Sequence, residues 1–271
     1  MSVAVITGGA GGMGLATARL LGADHTVVIS DLKQEALDAA ATELTAAGIV
    51  AETVVADIAD RASVDALFAR ASSLGQVSAV VHAAGVSPQM GAADAIVRIN
   101  ALGTINVTEA ALGVLGEEGA LVNVASIAGH MLPAQPTELY QLALSDPEAF
   151  VTQLTGAATQ VPAEQRSGAA YSLSKGFVIW YSAVMAERFG ARGARILSVS
   201  PGSFDTAMGR LEESSGAAEI VKYAALKRFG RPEEVAQLLA FCVRPQVGYL
   251  TGTDILIDGG TKAGLAAATG H

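Results

Sequence analysis

Short runs of β-branched residues alternate with Ala- and Leu-rich stretches along nearly the whole chain. The runs are candidate strands, at 3–7, 26–30, 52–56, 78–82, 120–125, 194–200 and 253–257. Helical patterns lie between them, at 13–22, 33–47, 61–74, 94–115, 172–190 and 232–242. Strands separated by helices indicate parallel βαβ units. Because several runs are apolar throughout, the pattern predicts a doubly wound, mainly parallel α/β sheet of seven strands with helices on both faces.

Composition agrees with one well-filled domain. Of the 271 residues, 51% are hydrophobic and only 16% are charged, which excludes disorder as the main state. No internal repeat or Ser/Pro-rich linker divides the chain, so we expect a single domain over 1–271. The 26 acidic and 17 basic residues leave a net charge of −9, which disfavours nucleic acid and anionic membranes as partners. The longest uncharged stretch, 71–93, is interrupted by polar residues and makes a poor membrane span.

Two further observations concern the compartment. Cys242 is the sole cysteine, so no intrachain disulfide can form, which suits a reducing environment. The sequence starts directly in a strand-like run, without a basic leader. Both favour a cytoplasmic protein.

A glycine-rich turn directly follows the first candidate strand. Gly8, Gly12 and Gly14 form a Gly-x-x-x-Gly-x-Gly pattern that leads into a helix. Glycines there let a pyrophosphate approach the helix N-terminus, where free N–H groups favour anions. The alternative is an ordinary Gly-rich strand-to-helix turn. The position after the first strand favours a dinucleotide site, which makes the predicted fold Rossmann-type.

Asp31 ends the second candidate strand, at the spacing where an acid accepts hydrogen bonds from the adenosine ribose. A carboxylate there would repel a 2′-phosphate, and the loop supplies no compensating cation, so NAD is favoured over NADP. Lys33 is the one cation nearby. The alternative is a solvated Asp at a strand end.

Tyr171 and Lys175 are spaced i, i+4, so a helix places the phenol and the ammonium on one face. A free tyrosine has a pKa near 10, and a neighbouring cation favours its phenolate, as a general base requires. Tyr223 and Lys227 repeat the spacing, but in a charged stretch that we interpret as a solvated helix. Only the first pair follows a serine at a strand end, Ser126, where the active sites of parallel sheets lie.

With these motifs, the chain resembles the short-chain dehydrogenase/reductase family over essentially its whole length. The resemblance implies that Tyr171 is the general acid/base and that Lys175 holds the nicotinamide ribose and lowers the tyrosine pKa. It further implies that Ser126 bonds the reacting oxygen and Asn100 completes a water-linked proton relay. It implies no metal. The implied cofactor-binding residues are Gly8, Gly12, Met13, Gly14, Asp31, Leu32, Asp57, Ile58, Ala83, Ala84, Gly85, Tyr171, Lys175, Pro201, Gly202, Phe204 and Thr206, with Asp57 at the adenine and Thr206 at the carboxamide.

Three of these assignments have plain structural alternatives. Asn100 can satisfy backbone groups in a helix kink, Ser126 can be a strand-end cap, and Asp57 can be a turn residue. His82 stands where the family often has asparagine, and we interpret it as a satisfied strand-end histidine rather than a catalyst.

The larger departure is an insertion, residues 130–167, between Ser126 and Tyr171. It holds four of the eight prolines, and Asp146-Pro147-Glu148 has the pattern of a helix start, followed by Phe150, Val151, Leu154 and Ala158 on one helical face. We expect one or two short helices standing on the domain surface. The insertion resembles that of bacterial 3α-hydroxysteroid dehydrogenase/carbonyl reductase relatives. The family's common tetramer uses the helices near 94–113 and 172–189, so we expect a homodimer or homotetramer in which the insertion reshapes or blocks that interface.

The predicted function is an NAD-dependent interconversion of a secondary alcohol and a ketone on an apolar substrate, such as a steroid or terpenoid. Residues 203–225 resemble the family's substrate lid. The alternatives are a 3-oxoacyl-thioester reductase, which usually resembles NADPH users, and a non-catalytic NAD-binding regulator. The candidate pocket residues are Val86, Met90, Ile127, Met131, Phe204, Met208 and Leu211.

Overall fold

The computed structural model describes residues 2–212 and 218–269, and within them a seven-stranded sheet. All neighbouring strands pair in parallel, in the order β3-β2-β1-β4-β5-β6-β7. The strands are β1 Ser2–Thr7, β2 His25–Asp31, β3 Ala51–Val55, β4 Val77–His82, β5 Ala120–Val124, β6 Arg195–Pro201 and β7 Asp254–Ile257. The predicted Rossmann-type sheet is therefore confirmed, and it is parallel throughout.

The helices lie on both faces of the sheet. They are α1 Gly12–Leu21, α2 Gln34–Ala46, α3 Arg61–Leu74, α4 Ala93–Val97, α5 Gly103–Val114, α6 Ile127–His130, α7 Thr137–Gln141, α8 Pro147–Ala158, α9 Arg166–Val184, α10 Ala186–Gly190, α11 Ala207–Glu212, α12 Ala218–Val221, α13 Pro232–Val243 and α14 Thr261–Thr269. None of the helices in this described part of the chain is long and apolar enough to cross a membrane.

The strands are apolar on both faces because both faces are covered. Val3 and Val5 of β1 point into one core cluster, with residues of α3, α5 and α9. Ala4 and Ile6 point into the other, with residues of α1, α2 and α13. The strand order reverses between β1 and β4, and in such sheets ligands bind outside the carboxyl ends of the strands at this point.

Two predicted helices are interrupted. The stretch predicted at 94–115 forms α4 and α5 joined by a π-helical turn, Arg98–Leu102, which carries Asn100. The stretch predicted at 172–190 begins earlier, at Arg166, and is broken at Met185. The extra residue per turn of a π segment is common at functional sites.

The insertion contains α7 and α8, with α8 starting as predicted. Asp146 caps it by accepting from the Ala149 amide, and Pro147 takes the first helical position. Both helices lie at the domain surface, with their apolar sides in the core. Tyr140 of α7 and Phe150 of α8 are fully buried in the cluster that contains Phe177 of α9.

Candidate active site

The glycine turn between β1 and α1 has no room for a side chain at Gly8 or Gly14. A Cβ on Gly8 would lie 2.7 Å from the Ala84 amide nitrogen, and one on Gly14 would lie 2.2 Å from the Gly8 carbonyl oxygen. Gly12 has a φ of +53°, which disfavours other residues. A Cβ there would be 3.5 Å from Cγ2 of Thr206. The turn is thus a glycine-lined cradle that brings together three predicted cofactor segments.

This cradle fits a dinucleotide. The backbone N–H groups at the start of α1 are left without partners by the helix itself, and Gly11 caps the helix without a side chain. Met13 lies in the first turn, half-buried against the core. Such an N-terminus accommodates a pyrophosphate between backbone donors.

Among the described residues, no cluster of three His, Cys, Asp or Glu side chains could hold a metal ion.

Asp31 is the last residue of β2, and Asp57 follows the carboxyl end of β3. The Asp31 carboxylate accepts from the amide of Leu32 at 2.8 Å, and Leu32 itself is exposed. The Asp57 carboxylate accepts from the Ala59 amide at 2.9 Å, which is the bond of the turn residue considered as an alternative. The side chain of Ile58 is buried at this turn, and its contact with a cofactor stays a prediction.

The segment Ala83–Gly85 leaves β4 beside the cradle. The Ala83 amide donates to the Thr7 carbonyl at 3.1 Å, and the Ala84 amide donates to the Thr7 hydroxyl at 3.3 Å. A Cβ on Gly85 would lie 3.0 Å from Oδ1 of Asn100 and 3.6 Å from Nζ of Lys175. Gly85 thus lies directly against two of the predicted catalytic side chains.

Asn100 lies buried in the π-helical turn. Its side chain accepts from the Val86 amide at 2.9 Å and donates to the Val86 carbonyl at 3.0 Å and to the Ser174 hydroxyl at 3.3 Å. These bonds match the alternative in which Asn100 satisfies backbone groups near a helix kink. The water-linked relay stays a prediction.

Ser126, Tyr171 and Lys175 converge at the end of β5. The Ser126 hydroxyl caps α6 by accepting from the Ala128 amide at 3.2 Å, which leaves its proton to donate. Lys175 is buried and its ammonium donates to the Val124 carbonyl at 2.9 Å. The same ammonium is 5.9 Å from the centroid of the half-buried Tyr171 ring. A hydroxyl donor, a phenol and a cation therefore share one site.

His82 has both ring nitrogens engaged. The Thr104 hydroxyl donates to the Asn100 carbonyl at 2.7 Å, so it accepts from Nε2 of His82 at 3.3 Å. Nδ1 then accepts from the Thr7 hydroxyl at 2.7 Å. Burial, and secondarily the charge of Lys175, lower the pKa of His82 to about 3. The interpretation as a satisfied strand-end histidine is confirmed, since both ring nitrogens are bonded.

Sequence reasoning missed the two threonines of this network. Thr7 precedes the glycine turn, and Thr104 stands one helical turn after Asn100. The i, i+4 spacing is the one sequence signal that links Thr104 to Asn100. The contact of Thr104 with His82 has no such signal, because it joins α5 to the sheet.

The second Tyr-x-x-x-Lys pair is not on a helix, which corrects the sequence prediction. α12 ends at Val221, and residues 222–227 form turns. The carbonyl of Tyr223 lies so close to Gly264 that a Cβ there would clash, which ties this turn to α14. The Tyr223 side chain is exposed, as expected for a solvated residue.

The segment after β6 crosses above the cradle. A Cβ on Gly202 would lie 2.8 Å from Asp258, so the chain after Pro201 passes tightly against β7. The Thr206 hydroxyl accepts from the Gly209 amide at 2.9 Å and starts α11. Phe204 is buried against Gly230, so its ring is a core group rather than an open pocket wall.

Predicted pocket residues surround this region with differing exposure. Met90, Met131 and Leu211 are exposed, whereas Val86, Ile127 and Met208 are half-buried. α11 contacts the short 3₁₀ turn Pro88–Met90, which carries the predicted pocket residue Met90, and the substrate lid stays a prediction. Residues 213–217 of that lid lie outside the described residues.

Comparisons with known proteins find similarity to dehydrogenases and reductases along nearly the whole chain. The family model described as short chain dehydrogenase matches residues 2–140, and one described as Enoyl-(Acyl carrier protein) reductase matches residues 142–262. The short-chain dehydrogenase/reductase bsc3 of Alternaria brassicicola is 32% identical, over 96% of both chains. The 2-(S)-hydroxypropyl-CoM dehydrogenase 3 of Xanthobacter autotrophicus is 29% identical, again over 96% of both. A solved short chain dehydrogenase from Burkholderia cenocepacia in complex with NADP has a TM-score of 0.76 and 28% identity, over 96% of this chain and 97% of that one.

Proposed function

The chain belongs to the short-chain dehydrogenase/reductase family, and from that premise we propose that it is an NAD(H)-dependent enzyme interconverting a secondary alcohol and a ketone. The observation that carries the proposal is the bond from Lys175 to the Val124 carbonyl, which brings the Tyr171 helix against the strand end that leads to Ser126. Hydride transfer needs a fixed nicotinamide, one proton acceptor and one donor that positions oxygen.

In the oxidising direction, the substrate hydroxyl binds against Ser126 and Tyr171. Ser126 donates a hydrogen bond to the reacting oxygen, and Tyr171, as phenolate, takes its proton. A bound NAD⁺ would supply the hydride acceptor for the carbinol carbon, and one O–H and one C–H bond of the substrate break as its C=O bond forms. In the reducing direction Tyr171 donates the proton. Lys175 favours the phenolate through its charge and would hold the nicotinamide ribose.

Asp31 supports NAD as the cofactor. Its carboxylate follows β2 beside the cradle, with the exposed Leu32 next to it. A carboxylate accepts hydrogen bonds from ribose hydroxyls but repels a 2′-phosphate. The Burkholderia cenocepacia relative was solved with NADP, so cofactor choice within this fold depends on such local charges.

An apolar substrate is the class that the pocket favours. Methionine and leucine side chains are exposed around the site, and apolar walls suit a steroid, a terpenoid or another apolar alcohol. The name of the Xanthobacter relative specifies a 2-hydroxypropyl group, which is a secondary alcohol. A 3-oxoacyl-thioester reductase is the second candidate, because the description of the model matching 142–262 names an acyl carrier protein, which carries its acyl groups as thioesters.

A panel of secondary alcohols and 3-oxoacyl thioesters tests the two candidates. We expect NADH to form from NAD⁺ with apolar secondary alcohols in the wild type and not in Tyr171→Phe. Oxidation of NADPH by 3-oxoacyl thioesters, with no turnover of alcohols, would support the second candidate. NAD binding without turnover of any substrate would indicate a regulator.

The assembly also follows from the insertion. The ring centroids of Phe150 on α8 and Phe177 on α9 are 4.4 Å apart. The insertion therefore covers part of the helix that the family's tetramer uses. We therefore propose a homo-oligomer without that interface, in the cytoplasm. Sedimentation showing the ordinary tetramer, unchanged when 134–164 is excised, would contradict this.

A further inference from the structure

The insertion contacts every segment that carries a predicted catalytic residue. It packs on α9, which carries Tyr171 and Lys175, and on the π-helical turn that carries Asn100. It also bonds to α6, which Ser126 caps. Three separate contacts make these connections.

The first contact joins Tyr140 to the catalytic helix. Tyr140 is fully buried, and its hydroxyl donates to the carbonyl of Leu173 at 2.8 Å. Leu173 lies between Tyr171 and Lys175 in α9. Within a helix, the carbonyl of residue i is already satisfied by the amide of residue i+4. The Tyr140 bond is therefore additional, and it ties the insertion to the turn that bears both catalytic groups.

The second contact is at Gly176, directly after Lys175. A Cβ there would lie 2.6 Å from Oε1 of Gln135 and 2.8 Å from the Tyr140 hydroxyl. Gln135 also donates to the Gly129 carbonyl of α6 at 2.8 Å. Because Gly176 lacks a side chain, the insertion reaches the backbone of α9 and the Ser126 segment together.

The third contact supports the π-helical turn. α8 packs against this turn, and Arg98 of the turn bonds to Glu148 of α8 at 3.1 Å. That ion pair is exposed and contributes little by itself. The ring of Phe150 on the same helix lies against Phe177, so α8 spans from the Asn100 turn to α9.

We propose that the insertion is a brace for the active site and that Tyr140 is its positioning residue. The Tyr140 hydroxyl holds the Tyr171–Lys175 turn in register with the Ser126 segment, and its ring anchors the brace in the core. This inference rests on the proposed function, because it takes Ser126, Tyr171 and Lys175 as the reacting set. It assigns the insertion a part in catalysis besides its effect on assembly.

The test removes one hydroxyl at a time. Tyr140→Phe keeps the ring and loses the bond to Leu173. Tyr181→Phe is the matched control, because Tyr181 is also buried on α9 but its hydroxyl bonds to Glu109, away from the site. Both substitutions remove the hydroxyl of a deeply buried tyrosine, and burial raises the pKa of both tyrosines. A structural effect alone would therefore appear in both variants.

We expect Tyr140→Phe to lower kcat about tenfold, because small misplacements of reacting groups are costly, with the alcohol KM nearly unchanged. Tyr181→Phe should stay within about twofold of wild type, because the Tyr181 hydroxyl bonds to Glu109 and not to a segment that carries a predicted catalytic residue. Without substrate or cofactor, hydrogen–deuterium exchange of the 171–178 amides should rise in Tyr140→Phe and not in the control. Equal kcat and equal exchange in the two variants would overturn the proposal.

The exchange measurement separates this inference from the proposed function. If no alcohol is turned over, the proposed reaction fails, yet exchange still reports whether Tyr140 holds the helix. If Tyr140→Phe does not fold, Gln135→Met provides the second variant, because Gln135 is exposed. It should raise exchange in 127–130 and lower kcat, and unchanged values of both would count against the brace.

Discussion

The ammonium of Lys175 on α9 donates a hydrogen bond of 2.9 Å to the carbonyl of Val124 at the end of β5. Ser126 follows two residues later. One bond therefore links the helix that carries Tyr171 to the strand end that precedes Ser126. A buried ammonium needs such a partner because it has lost most of its water. The reacting groups thus depend on a contact between distant parts of the chain.

Tyr171→Phe should abolish most of the turnover and leave cofactor binding intact. The ring still fills its place, but no group remains to accept or donate the proton, so we expect kcat to fall by at least about 10²-fold. Steady-state turnover of an alcohol and titration with NADH measure the two properties. Tyr223→Phe, at the second Tyr-x-x-x-Lys pair, is the matched control and should retain wild-type turnover.

Asp31→Asn should weaken the preference for NAD over NADP. Removing the carboxylate removes its repulsion of a 2′-phosphate, so we expect the ratio of kcat/KM for the two cofactors to fall by about tenfold. Glu35→Gln, a change of the same charge on the neighbouring helix α2, is the control and should leave the ratio near its wild-type value. A wild type with equal affinity for both cofactors would refute the role of Asp31.

His82 should make the free energy of unfolding depend on pH in mildly acidic solution. Its pKa is about 3 in the folded protein, against 6.5 as the ordinary value. Below pH 6.5 the unfolded chain binds a proton that the folded protein does not, so stability falls as pH falls from 6.5 towards 3. At pH 5 this loss is about 2 kcal/mol.

Urea unfolding at pH 7.5 and pH 5 measures this effect in wild type and His82→Gln. The glutamine cannot titrate, so the variant should lose about 2 kcal/mol less between the two pH values than the wild type does. Parallel losses in both proteins would show that His82 is not the group responsible. His82→Gln also removes hydrogen bonds and lowers the free energy of unfolding at pH 7.5. The loss at pH 5 is therefore measured in each protein relative to its own value at pH 7.5.

Two glycines of α9 should respond in opposite directions to alanine. A Cβ on Gly176 meets Gln135, Leu132 and Tyr140, whereas one on Gly168 meets nothing within 4 Å. Gly176→Ala should lower the free energy of unfolding by about 1–2 kcal/mol through overpacking. Gly168→Ala should raise it by up to about 1 kcal/mol, through helix propensity. Changes of the same sign and size in urea unfolding would contradict the close packing at Gly176.

The strands were predictable because their pattern is local. Runs of β-branched residues bounded by polar turns predict each of the seven strands to within one residue or so at either end, since burial on both faces makes them apolar throughout. The helix starts were predictable where the chain carries its own cap, as at Asp146 and Pro147. The breaks at Arg98 and Met185 carry no such local signal, and these were missed.

The long-range contacts of the insertion could not be predicted from its own sequence. Its helical face at Phe150 and Leu154 was evident, but what covers that face was not, because Phe177 comes from a different part of the chain. The same holds for Tyr140, whose hydroxyl partner Leu173 lies 33 residues away. A side chain's own neighbours in sequence do not report which distant surface it will meet.

The amino-acid sequence by itself determined the fold class, the order of the strands and helices, and the residue types at the site. These follow from periodicity and from motifs of a few residues, which act locally. Only the tertiary structure decided that His82 is neutral and enclosed, that Lys175 reaches Val124, and that the insertion packs into the core beside α9. Those properties depend on burial and on contacts across the sheet, which exist only once the chain has folded.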